Sequence, residues 1–223
     1  MIQCDILSHS TYQVLKQLGF DYTGWKALHI GAHDALERDI MDYLGFVHTT
    51  WVECNPFVFP DLLERLGSDK RHTAIEACLW GTNAEIKNYH FYRNKKDGAG
   101  GLFKDKKMKK YVQDCPMIGE SIELVTTRLD TLALIHDIDL SSINFLNLDV
   151  QGSELQVLKG AGDKLRPELI YCEVSWDEIY ENGPLLQDID NFLSDWGYTR
   201  VGIRVDWQVH GDAIYIKINK GKG

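Results

Sequence analysis

Apolar positions along the chain follow two alternating periods. Apolar runs at 27–30, 47–52, 72–79, 143–150 and 169–174 predict strands. Segments of helical character fall between the first three, at 34–44 and 55–66. Asp34 followed by Glu37 has the form of a capping box, and Asn55-Pro56 sets a capping side chain before a first-turn proline. The order strand, helix, strand, helix, strand implies right-handed crossovers and a parallel sheet. Strands at 85–92 and 121–127 then enclose a long irregular stretch, and a helix follows at 130–136. Ser153 with Gln156 suggests another capping box, opening a helix to about 158, and a further helix covers 184–196. Strands at 198–205 and 213–218 close the chain as an antiparallel hairpin at a sheet edge. A short amphipathic helix at 11–18 sits in an N-terminal extension, residues 1–24.

Composition narrows this picture. The 223 residues, 44% of them hydrophobic, can bury one substantial core, so residues 1–223 read as a single domain. A net charge of -9 repels a phosphate backbone, and no nucleic-acid partner is expected. Cys4, Cys54, Cys78, Cys115 and Cys172 are widely spaced and form no CxxC pair. They suggest reduced thiols in a cytoplasmic protein rather than a zinc site or disulfide framework. No apolar run approaches the roughly 18 residues of a membrane span, and none has the form of a signal peptide. Residues 93–110 carry eight Lys/Arg and two Asp around Gly98-Ala99-Gly100-Gly101. Within an inserted basic, glycine-rich loop over 93–120, they read either as a mobile lid or substrate loop, or as a solvated excursion.

In an open parallel sheet, ligands bind beyond the carboxyl ends of the strands. The first such end is His29-Ile30-Gly31-Ala32-His33, where Gly31 permits close backbone approach. His33 could touch a ligand there, while His29 suits a structural place. GxGxxG is absent, which disfavours a dinucleotide pyrophosphate site. Glu53 ends the second strand, about twenty residues past the glycine turn, and suits ribose hydroxyls. Leu79 and Trp80 end the third and could flank a flat base or simply pack the core. Asp149 and Glu173 end the next two strands as neighbours. They could share a divalent cation such as Mg or Mn through oxygen ligands, or divide base and binding roles. Histidine titrates near neutrality, so His210 in the last hairpin is a candidate general base, with an exposed turn residue as the plainer reading.

Taken together, INFLNLDVQGSELQVLKGAG resembles the hallmark segment of FkbM-type methyltransferases. LHIGAHDALERDIMDYLG, WVECNPFVFPDLLERL, AIEACLWGTNAEI, VTTRLDTL and LIYCEVSW resemble the family's other segments in order, over nearly the whole chain. The resemblance implies a Rossmann-like class I methyltransferase: α/β, with a mostly parallel seven-stranded sheet, a C-terminal antiparallel hairpin and an inserted loop or hairpin region. It implies S-adenosylmethionine as cofactor and O-methylation of a sugar or polyketide hydroxyl. Gly31, Ala32 and His33 would line the methionine moiety and Glu53 the ribose, with Asp149 and Glu154 on the family's acidic positions. The chain departs from the pattern where His29 stands for a usual Asp, Ala35 for Gly, Cys54 for Pro, Asn147 for Lys and Gln151 for Glu. His29 bears on how the methionine ammonium is held. Trp176, Trp207 and Tyr92 among polar groups suit a carbohydrate acceptor, and the basic loop could meet a phosphate on a nucleotide-sugar or charged glycan. Two other classes remain in view: an NAD-type nucleotide enzyme, and a non-catalytic module that kept the fold.

Overall fold

The computed structural model describes residues 10–104 and 117–218. Seven strands form the main sheet: β1 (Lys26–Ile30), β2 (His48–Glu53), β3 (His72–Glu76), β7 (Phe145–Leu148), β8 (Leu169–Ser175), β9 (Tyr198–Trp207) and β10 (His210–Lys217). Their order is β3-β2-β1-β7-β8-β10-β9. The first five run parallel, and β10 is antiparallel to both β8 and β9. A second sheet, in the order β4-β6-β5, uses β4 (Cys78–Leu79), β5 (Ile86–Tyr92) and β6 (Met117–Thr127).

Side chains alternate across the main sheet, as the period of two demands. One face carries Leu28, Ile30, Leu146, Leu148, Ile170 and Cys172 against α4 (Leu129–Ile135), α5 (Glu154–Gly160) and α6 (Leu186–Asp195). The other carries Ala27, Trp51, Phe145 and Tyr171 against α1 (Ser10–Leu18), α2 (Arg38–Leu44) and α3 (Phe59–Leu66). Each fully buried Leu or Phe contributes about 1.5–3 kcal/mol relative to exposure, so these two layers hold the sheet. Val14 and Leu15 of α1 belong to the second layer, so this part of the expected extension is built into the core. No helix among the described residues is long and apolar enough to cross a membrane.

Several expected boundaries move for local chemical reasons. α2 starts at Arg38 because Asp34 bonds His33 and Arg65 instead of capping a helix. α3 starts at Phe59, since the Asn55 side chain accepts from Phe57 N and caps a turn. At α5, Ser153 holds the N-cap position without the side-chain bond expected of its capping box, and Glu154 accepts the amides of Val150 and Gly152 in the preceding turn. The expected third strand, 72–79, breaks at Ala77: β3 stays in the main sheet and β4 joins the second. β6 extends into 117–120, which the loop reading had included; residues 105–116 of that loop lie outside the described residues.

Candidate functional site

The sheet runs outward in both directions from β1 and β7, so a crevice opens at their carboxyl ends. Gly31 makes the turn there with φ +78, and the amides of Gly31 and Ala32 both donate to Val52 O, at 2.9 and 3.0 Å. A Cβ at Gly31 would lie 1.6 Å from the Asp149 carbonyl oxygen, so the two strand ends touch through bare backbone. Ala35, where the family pattern has Gly, sits at φ +55, the left-handed region glycine occupies without strain.

The cavity above this turn spans about 720 Å3 out to its mouth. Its walls include Gly31, Val52, Glu53, Ala77, Leu79, Tyr89 and Asp149. Glu53 is buried and held in place, with Oε2 accepting from His33 N at 2.8 Å and Oε1 from Asn55 N at 2.7 Å. Burial pushes its pKa up, and those amides oppose the shift. The glycine-rich segment 98–102 forms the roof. It is latched by His33 Nε2 donating to Lys96 O at 2.9 Å, Asn55 Nδ2 donating to Lys95 O at 2.8 Å, and Lys96 paired with Asp61 at 2.6 Å. His33 Nδ1 also donates to Asp34 at 3.0 Å. With both nitrogens donating, His33 carries a proton, and the Asp34 bond raises its pKa to about 9.

A second pocket adjoins the first and shares Gly98 and Gln151 with it. Its lining also includes Glu173, Tyr180, His210, Arg93 and Asp97. Gln151, at φ +52, stands between the two. Its Nε2 donates to Asp149 Oδ1 at 2.7 Å and to Glu173 Oε1 at 2.8 Å, and its Oε1 accepts from Tyr180 OH at 2.7 Å. His210 Nε2 lies 2.7 Å from the same Glu173 oxygen. Burial and then the Glu154 charge raise the Glu173 pKa. Asp149 is open to the cavity at its surface yet ringed by protein, and that enclosure, followed by the Glu173 charge, raises it as well.

The sequence-predicted residues therefore divide. Gly31, His33, Glu53, Leu79 and Asp149 line the first cavity, and Glu173 and His210 the second. Ala32 is buried in the core instead, and Trp80 sits against Phe103 and beneath Lys87; neither lines the cavity. His29 also stays out of it: it stacks on Trp51, and burial lowers its pKa to about 3, so it is neutral. His29 and Asn147 are register partners on β1 and β7, with Asn147 Nδ2 3.1 Å from His29 Nε2. The two departures from the family pattern thus meet, a neutral pair standing where an acid and a base are usual. The cation expected between Asp149 and Glu173 meets a different arrangement, because the Gln151 amide already bridges those carboxylates. Among the described residues, the group with the spacing of three metal ligands is Asp42, Asp69 and His72, where Arg71 already pairs with both acids. Trp176 donates to Gln208 O at 2.7 Å and Tyr92 is buried; the Trp207 side chain lies outside the described residues. Tyr89, Asn55 and Tyr180 were not foreseen, and only the unusual length of the glycine-rich loop hinted at its roof.

The donor set fits S-adenosylmethionine. Apolar walls at Val52, Ala77 and Leu79 suit the adenine, Glu53 suits ribose hydroxyls, and the acids at Glu53 and Asp149 match a cationic cofactor. Solved structures share the fold. Precorrin-6y C5,15-methyltransferase from Geobacter metallireducens matches with a TM-score of 0.50 at 13% identity, over 93% of this chain and 86% of that one. A protein assigned as a methylase in Haemophilus influenzae matches with a TM-score of 0.51 at 12% identity, over 94% and 89%. Magnesium protoporphyrin IX methyltransferase from Synechocystis, solved with S-adenosylhomocysteine, matches with a TM-score of 0.50 at 8% identity, over 94% and 81%. No curated protein matches the sequence. Fold and crevice together define a class I S-adenosylmethionine-dependent methyltransferase. Residues 29–200 match the methyltransferase FkbM domain, and the chain belongs to that family.

Proposed function

We propose that this enzyme transfers the cofactor's methyl group to a hydroxyl of a carbohydrate-like acceptor. The observation that carries the reading is Gln151, whose one amide joins Asp149 of the cofactor cavity to Glu173 of the adjoining pocket. An acceptor in the second pocket would meet Gln151, Tyr180, His210 and Glu173, a set of donors and acceptors suited to a polyhydroxylated molecule. The bound cofactor supplies an electrophilic methyl carbon.

In this reading Asp149 takes the hydroxyl proton at Oδ2, since Oδ1 is occupied by Gln151. Its raised pKa makes it a stronger base than an ordinary carboxylate. Glu173 and His210, bonded to each other, orient the acceptor, and much of the rate comes from that positioning. His33 is set aside as a base because both its nitrogens are engaged. A divalent cation has no part in this reading, and loss of turnover on dialysis against EDTA would restore it.

The test uses methyl-labelled S-adenosylmethionine with a panel of mono- and oligosaccharides, with and without phosphate groups. Label should pass to a sugar oxygen. Asp149→Asn should keep S-adenosylhomocysteine binding while transfer falls about 100-fold or more. Unchanged transfer in that variant would remove Asp149 as base, and label on nitrogen or carbon would overturn the O-methyl reading.

A further inference from the structure

Two thiols in the cofactor cavity take no part in the reaction above. Cys54 follows the last residue of β2, and Cys78 opens β4; both line the cavity between Glu53 and Leu79. The strand register brings them together. Glu53 pairs with Glu76, and Ala77 N donates to Glu53 O at 3.0 Å, so Cys54 lies beside the 77–78 step. The two thiols are close enough to bias each other's titration, Cys54 upward and Cys78 downward. Neither is in a disulfide. Cys54 stands where the family pattern has proline, so the pair is a property of this chain.

We propose that Cys54 and Cys78 form an oxidisable dithiol whose disulfide closes the cofactor site to S-adenosylmethionine. The oxidant is a small hydroperoxide such as hydrogen peroxide, which can enter the cavity that both thiols line. The Cys54 thiol and the Lys87 charge favour the thiolate of Cys78, which makes it the attacking sulfur. Its attack forms an S–O bond and breaks the peroxide O–O bond; the thiol proton leaves with the departing hydroxide as water. Cys54 then attacks the resulting sulfenic acid, the S–S bond forms, the S–O bond breaks, and the second hydroxide departs as water with the Cys54 proton. Two thiols lose two electrons, and one peroxide becomes two waters.

The effect on the cofactor follows from what Cys54 is attached to. A disulfide needs its sulfurs about 2.0 Å apart, and in this proposal closing the bond draws the end of β2 toward β4. The next residue, Asn55, supplies the amide on Glu53 Oε1. Moving Cys54 therefore moves the support of the carboxylate that faces the ribose, and joins the wall that the adenine would occupy. The bond would also tie the main sheet to the second one, since Cys78 pairs with Thr126.

The test measures S-adenosylhomocysteine affinity by calorimetry on the full chain, before and after hydrogen peroxide and again after dithiothreitol. Affinity should fall at least about tenfold on oxidation and return on reduction. Trypsin separates the two cysteines, because Arg65, Lys70 and Arg71 lie between them. A single peptide pair joining Cys54 to Cys78, lighter by two hydrogens, should appear in step with the loss. Cys54→Ser should show the same affinity before and after peroxide, whatever its own starting value; Cys78→Ser serves if the first variant does not fold. Absence of the joined peptides, or their presence with unchanged affinity, overturns the proposal. Failure of the reduced wild type to bind S-adenosylhomocysteine would instead remove the cofactor reading and the switch with it, while the peptide map would still report whether the bond forms.

Discussion

On the β1–β2 side of the crevice, backbone does most of the holding. Gly31 turns against the Asp149 carbonyl, and both Glu53 oxygens are fixed by main-chain amides. On the β8–β10 side, side chains hold one another: Tyr180, Gln151, Glu173 and His210 form a chain of side-chain contacts. The first half suits a ligand that does not change, because amides and glycine turns have few alternatives. The second can be rewritten one residue at a time, as expected where acceptors differ.

Four measurements would break or sharpen that contrast. Gly31→Ala carries the largest expected effect, since its Cβ would fall 1.6 Å from backbone oxygen at a positive φ. It should cost about 4 kcal/mol or prevent folding, read from a denaturant melt. A wild-type midpoint would show that the two strand ends can part. Next, Glu173→Gln should cut transfer about 100-fold through lost orientation of the acceptor, with S-adenosylhomocysteine affinity preserved. A matching loss of affinity would mean that the halves are not separable. Glu53→Gln should do the reverse, weakening S-adenosylhomocysteine about tenfold through one charged hydrogen bond, with acceptor KM unchanged.

The smallest effect concerns pH. The folded-state pKa of His33, about 9, lies above its ordinary 6.5, so its contribution is complete below pH 6.5 and is lost as pH rises through about 9. Its side chain is 39% exposed, so solvent screens much of that contribution. Melts at pH 6 and 10 should differ less in His33→Gln than in the wild type. An equal difference in both would mean that the latch adds nothing to stability.

The same contrast explains what could be read from the sequence. Strands β1, β2, β7 and β8 lie in a buried sheet, and their apolar runs announced them. Helix starts were misplaced because Asp34 and Asn55 spend their side chains on His33, Arg65 and a local turn, choices made by tertiary neighbours. The cofactor half was legible at Gly31 and Glu53, since a turn glycine and a strand-end acid are local signals. Ala32, His29 and Trp80 could not be placed the same way, because adjacency in sequence does not decide which face of a turn a side chain takes. Tyr180 had no local signal: its partner Gln151 lies 29 residues away.

The contact between Gly31 and the Asp149 carbonyl has a consequence for traffic. Two strand ends in backbone contact leave the floor no slack, so passage of cofactor and spent product falls to the roof. That roof is tied down by the contacts of Lys95 and Lys96 with Asn55, His33 and Asp61. The dwell time of S-adenosylhomocysteine should therefore shorten in Lys96→Ala while the floor stays intact, a change visible in stopped-flow release. The loop would then act as the timekeeper of turnover, with the sheet as its fixed frame.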